Sequence, residues 1–300
     1  MRWLCTGGTR FATPHGSVAV EQLVPGTVLL SETGALLVAG PVGRIRLSAA
    51  ELTARRALWP VRIGAGALVD GLPASDAVVL PDQPIAAAGL PAIAAKWLVD
   101  GVGLDRPAPR AALDVFSLSF ETAGIPAGGP CLRDDAGEQP RPADGALLAA
   151  RRALAERAGA TPGALFGSVD AVLADRLSGW ADDGSGRPVA LELTVDGVTL
   201  PPALADQSRD DLAAAGIGDG RRGFAVRLDP PLDPRQRHLL RVRRALDGAE
   251  LPGSPVLLDA VAELASLLDA VPDEALRRQA VEAAARAVAA RLAARPLPGA

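Results

Sequence analysis

Lysine is nearly absent from this 300-residue chain: Lys96 is the one lysine among 31 basic residues. The rest are arginine, and with abundant alanine, glycine and proline this reads as codon bias in a GC-rich genome rather than as function. Cysteine and histidine are as scarce, with Cys5, Cys131, His15 and His238 making up the full set. Two cysteines exclude a disulfide framework and leave either a lone pair or two free thiols. No His/Cys cluster has metal-ligand spacing, so no metal and no cofactor is expected. Basic excess is missing too. The net charge is −4 and the pI about 5.3, which excludes the basic face of a nucleic-acid binder. A long apolar run is also lacking. The longest candidate, Ala77 to Val99, is interrupted by Pro81, Asp82, Pro84, Pro91 and Lys96 and does not make a membrane span of about 20 apolar residues. No apolar run follows Arg2, so no signal peptide is expected. The expectation is a soluble protein, cytoplasmic or exported by a leaderless route.

What is present is apolar material, 49% of the residues, enough for two or three domain cores. Short apolar runs recur between Gly and Pro: 18–30 around Pro25-Gly26, 35–39, 44–48, Pro60–Ile63, Ala77–Leu80, 85–90 and 92–99. That spacing predicts an all-β domain. Val115–Phe120 alternates Val115, Ser117 and Ser119 against Phe116, Leu118 and Phe120, the period of a half-buried strand. Ala50–Leu58 is a helical turn or a loop. Residues 135–145 have two prolines and no periodicity, which predicts a linker, and 146–158 reads as a helix. Beyond Gly163, Val189–Val195 and Val198–Leu200 flank Asp196-Gly197, the favoured two-residue hairpin turn. Gly223–Leu228 and His238–Arg243 read as further strands. In the tail, Leu257, Val261, Leu264 and Leu268 fall on one helical face. Leu276, Ala280, Ala284, Val288 and Leu292 make a second stripe.

The chain from Trp59 to Gln83 resembles the central block of the bacterial Hint (hedgehog/intein) domains. Arg62-Ile63, Ala65–Leu68, Asp70–Pro73 and Pro81-Asp82 match that block, whereas the family's next residue, histidine, is Gln83 here. Gly8–Gly16 and Val18–Leu30 resemble the opening of such domains, and the resemblance covers residues 4–134. Two departures stand out. Cys5 lies one residue closer to Gly8 than the family's cysteine, whose position is taken by Leu4. Gly128-Gly129 stands where the family carries a small polar pair. Gly179-Trp180-Ala181, the run Arg209–Phe224 and Leu251–Pro255 resemble a small β-sandwich module appended to bacterial glycosyltransferases and other multidomain proteins.

The expected architecture is therefore mainly β. A degenerate Hint-type twisted domain of two related halves spans 1–134, a linker and short helix 135–162, a small β-sandwich 163–258 and a helical tail 259–300. The resemblance implies self-cleavage chemistry, in which a cysteine thiol shifts the preceding peptide bond to a thioester and a histidine protonates the leaving nitrogen. Cys5 is the one vestigial candidate nucleophile; its alternative reading is a small buried apolar residue. Gln83 can donate a hydrogen bond but cannot transfer a proton at neutral pH. Asp82 is read as holding its turn, His15 as solvated, and His238 as part of a strand in another domain. Gly216, Gly218 and Gly220 fail as a phosphate loop because no strand feeds them into a helix. The leading expectation is a non-enzymatic scaffold or interaction protein that has lost self-processing. The alternatives are an autoprocessing protein cleaving at Leu4–Cys5, which would release Met1–Leu4, and a carbohydrate-associated accessory protein. The partner is an unknown protein or glycan, with no nucleic acid and no membrane span.

Overall fold

A computed structural model describes residues 2–68, 73, 75–85, 92–134, 140–258, 273–276, 278, 279 and 282. The chain divides into two compact units, Met1–Thr161 and Pro162–Ala300. It is mainly β, as expected, with antiparallel sheets in both units.

The larger sheet of the first unit runs in the order Leu132–Arg133, Arg2–Thr6, Leu113–Phe120, Leu36–Leu47, Val28–Leu30. Its buried face is apolar: Trp3, Cys5, Phe11, Val20, Leu29, Leu37, Phe116 and Leu118 form one core cluster. Most of its members come from strands that alternate inward and outward, as a sheet with one covered face requires. A smaller sheet pairs Val61–Ile63 with Ala77–Val79 and Leu104–Asp105. The 59–83 stretch thus forms two neighbouring strands. Arg62 holds them to the third strand through Asp105 and reaches Asp76 at 3.2 Å. Residues 69–72 of this motif lie outside the described residues.

Several local expectations are corrected. The runs 35–39 and 44–48 are one strand, Leu36–Leu47. Gly40-Pro41 does not end it because the register against Leu113–Phe120 shifts between Leu118 and Phe120. A bulge is where a sheet tolerates proline. Residues 92–99 are not all strand. After Ile93–Ala94 the chain makes a helical turn, Ala95–Leu98, with all four side chains buried. Continuous apolarity fits a buried helix as well as a buried strand. Residues 86–91 lie outside the described residues. Ala49–Ala54 is a helix, started by a capping box in which Ser48 accepts from Glu51 N and Glu51 accepts from Ser48 N at 2.8 Å. The helix expected at 146–158 begins at Asp144 and runs to Arg157. It belongs to the first unit, where fully buried Arg151 donates from Nε to Trp97 O at 2.9 Å. Residues 135–139 of the expected linker lie outside the described residues.

The second unit has two sheets. One runs Phe166–Leu173, Arg176–Asp182, Arg221–Arg227, Gln207–Ser208. The other runs Val198–Thr199, Ala190–Val195, His238–Arg244, Val256–Leu258. Val169, Leu177, Phe224 and Val226 from the first meet Leu191, Leu193, Leu240 and Val242 from the second in one core. The Asp196-Gly197 hairpin has both residues at positive φ, 50° and 86°, as that turn requires. Leu257 is not the first rung of a helix: it pairs with Leu239 in the last strand. The structure is helical at 274–276, and the remaining tail stripe positions lie outside the described residues.

Candidate functional site

Cys5 sits inside the strand Arg2–Thr6, 1% exposed, between two neighbours. Leu113–Phe120 places Phe116 opposite it, and Leu132–Arg133 lies on the other side. A tight turn from Thr6 to Thr9 follows this strand. Thr9 donates from N and Oγ1 to Thr6 O, at 3.3 and 2.7 Å, and Gly8 N donates to Glu21 Oε1 at 2.5 Å. With its turn closed this tightly, the thiol remains a core residue of the strand.

Thr6 carries the site to the second sheet by donating from Oγ1 to Val78 O at 2.5 Å. Val78 leads into the Pro81-Asp82-Gln83 turn, which closes with Gln83 N on Leu80 O at 3.0 Å. The helical turn Ala95–Leu98 docks beneath it, Ala95 N donating to Gln83 O and Lys96 N to Pro81 O, both at 2.8 Å. Buried Lys96 pairs through Nζ with Asp82 Oδ1 at 2.8 Å. Gln83 is 6% exposed and donates from Nε2 to Cys131 O at 2.8 Å. Cys131 in turn packs against the core cluster that contains Cys5; the neighbouring Cys5 thiol, and then burial, raise its pKa above the usual thiol range. The result is a chain of contacts from Gln83 through Cys131 to Cys5.

Cys131 is the residue of this site that sequence reasoning missed. Its signal is present, since the protein has two cysteines in all. The two-residue strand that brings it across is too short to read from a pattern. Gly128-Gly129 also has a steric reason. A Cβ on Gly128 would lie 2.8 Å from Arg10 O, and one on Gly129 2.2 Å from Thr9 Cγ2, so the segment presses against the hairpin strand Arg10–Thr13.

The histidines are elsewhere. His15 is exposed on the turn between Arg10–Thr13 and Gly16–Ala19. His238 belongs to the second unit, where Nδ1 meets Asp196 Oδ2 at 2.6 Å and Nε2 meets Asp233 O at 2.8 Å. The Asp196 hydrogen bond, followed by that to Asp233, raises its pKa. Neutral imidazole has one N–H for these two acceptors, and imidazolium has two. A folded pKa above the unfolded value of about 6.5 means this stabilisation is complete below about pH 6.5 and lost as pH rises through the folded value. Asp196, whose pKa is lowered chiefly by His238, contributes above about pH 4 and loses its part as pH falls through its folded value. The second unit is therefore expected to resist urea better at about pH 5.5 than at about pH 8.5, a difference that Asp196→Asn flattens. Equal midpoints in the wild-type chain would contradict the clamp.

Gly216, Gly218 and Gly220 follow the short helix Asp210–Ala214 instead of leading into one, so they form a turn and not a phosphate cradle. Among the described residues no group of His, Cys, Asp and Glu could hold a metal ion. No described helix is long and apolar enough to cross a membrane.

Residues 5–125 match the Hint domain. The matched segment lies wholly within the first unit and contains Cys5, the shortened turn and Gln83, but stops before Cys131. No curated protein matches the chain. Solved structures similar to it include a bacterial intein-like domain from Clostridium thermocellum, at 12% identity and a TM-score of 0.31, over 44% of this chain and 98% of that one. The MchDnaB-1 intein is similar at 12% identity and a TM-score of 0.29, over 43% of this chain and 99% of that one. The matched segment begins at Cys5.

Proposed function

We propose that the Hint domain of this protein has lost self-processing and serves as a scaffold, carrying the second unit as an interaction module for a protein or glycan partner. One observation carries the reading. The side chain donating beside the Cys5–Cys131 contact is the Gln83 carboxamide, bound to Cys131 O at 2.8 Å. A carboxamide holds a carbonyl but does not protonate a leaving nitrogen at neutral pH. The surroundings of Cys5 support the same reading. The Leu4–Cys5 peptide lies in a strand paired on both sides. Acyl shift requires the thiol to reach the preceding carbonyl carbon in a near-attack geometry of about 3–3.5 Å, and a ladder on both flanks opposes the necessary distortion of the peptide.

The test is Cys5→Ala. Its expected effect is on stability alone, a loss of about 1–2 kcal/mol for a small apolar side chain removed from the core, with unchanged chain mass and unchanged partner binding by the second unit. A wild-type preparation that contains a species starting at Cys5, absent from Cys5→Ala, would overturn the reading.

A further inference from the structure

We propose that Cys5 and Cys131 form a reversible cross-strand disulfide, which makes the core of the first unit a site of thiol oxidation. Both thiols are free in the structure. Leu132–Arg133 pairs antiparallel with Arg2–Thr6, Trp3 opposite Arg133 and Leu4 opposite Leu132. Continued one residue beyond the ladder, that register would set Cys5 opposite Cys131, which immediately precedes the strand. Directly opposed residues of an antiparallel pair have Cα atoms about 4.5–5.5 Å apart, within the roughly 4.4–6.8 Å that a disulfide spans. Cys131 packs against the cluster that contains Cys5. Gln83 fixes the Cys131 carbonyl, so the strand end is held in register. Cys131 is partly exposed whereas Cys5 is buried, which gives the reaction an order.

The oxidant is a small disulfide of the glutathione class. The Cys131 thiol loses its proton to solvent, and the thiolate attacks one sulfur of the oxidant. An S–S bond to Cys131 forms while the oxidant's own S–S bond breaks, releasing the first small thiolate. The Cys5 thiolate then attacks the Cys131 sulfur and displaces the second. Two protein thiols become one disulfide, the oxidant is reduced to two thiols, and the two protons end on the released thiolates. Attack needs the thiolate, and Cys131 is held protonated by Cys5 and by burial, so oxidation is slow at neutral pH and faster in mild alkali.

The inference uses the uncleaved Cys5 of the proposed function, and its readout is distinct from cleavage. The experiment incubates the full chain with oxidised glutathione in mild alkali, quenches in acid, unfolds and alkylates without reductant. The expected product is a whole chain two hydrogens lighter that takes up no alkylating reagent and yields one Cys5–Cys131 cross-linked peptide. Dithiothreitol reverses it, and oxidation raises the thermal midpoint of the first unit by on the order of 10 °C. Cys131→Ser forms no internal disulfide. Full alkylation of both thiols after oxidation, or a Cys131–Cys131 link between chains instead, would overturn the proposal. Loss of Met1–Leu4 gives a different mass and would contradict the proposed function alone.

Discussion

Arg151→Ala is expected to destabilise the first unit by about 2–5 kcal/mol, because it empties a fully buried site and leaves Trp97 O without its donor. Arg151 is fully buried, donates to Trp97 O and acts electrostatically on Asp100. Asp100 is itself 4% exposed. Its Oδ1 accepts from the backbone N–H groups of Val102, Gly103 and Leu104 at 2.8–3.0 Å, and its Oδ2 has no hydrogen-bond partner among the described residues. Burial raises the Asp100 pKa while those amides and Arg151 oppose the shift. Without the guanidinium the carboxylate is left buried with weaker compensation. Arg151→Met keeps most of the volume and separates packing from charge. It should still cost several kcal/mol in the wild-type background and clearly less when Asp100 is Asn, which retains the accepting oxygen. Urea unfolding followed by fluorescence of Trp3, Trp59 and Trp97 measures the cycle. Equal costs in both backgrounds would show that Arg151 acts by packing alone.

Gly179→Ala is expected to destabilise the second unit by about 3 kcal/mol, at the upper end of overpacking effects. The added Cβ would lie 2.1 Å from Ser168 O and 2.8 Å from Phe224 Cζ. Gly179 pairs with Val169 on one side and Phe224 on the other, so neither strand can retreat without losing its ladder. Phe224 is 2% exposed in the core shared by both sheets. Trp180 reports the second unit's unfolding. The first unit's transition, followed by circular dichroism, should not move; a shared loss would mean that the units do not unfold separately.

Sequence carried the β character of both units because turn-bounded runs and period-2 alternation are local properties. Val115–Phe120 and the Asp196-Gly197 hairpin are cases where the pattern and the turn chemistry agree. It failed where the deciding contact is distant. Ala95–Leu98 reads as a strand, and it becomes a helical turn whose Ala95 and Lys96 N–H groups complete the Pro81–Gln83 turn. Gly40-Pro41 reads as a break, and it is absorbed by a bulge against Ser119. Ser48 and Glu51 were a legible capping box that the reading of Ala50–Leu58 as a helical turn or a loop left out. At the site, the resemblance to Hint domains singled out Cys5 and Gln83, and the structure places both in the first unit. Cys131 was not singled out, because its place opposite Cys5 depends on the pairing of a two-residue strand.

The central proposal is that the first unit does not cleave itself. General acid–base assistance is worth typically 10²–10⁴-fold, and Gln83 does not supply it. The strand-bound Leu4–Cys5 peptide opposes attack as well. The direct measurement is the intact mass of freshly purified protein over time, alone, with dithiothreitol and with hydroxylamine, either of which splits a thioester at Leu4–Cys5. The account predicts the mass of the full chain, allowing for loss of Met1, under all three conditions. Accumulation of a species that begins at Cys5, hastened by either nucleophile, would contradict it.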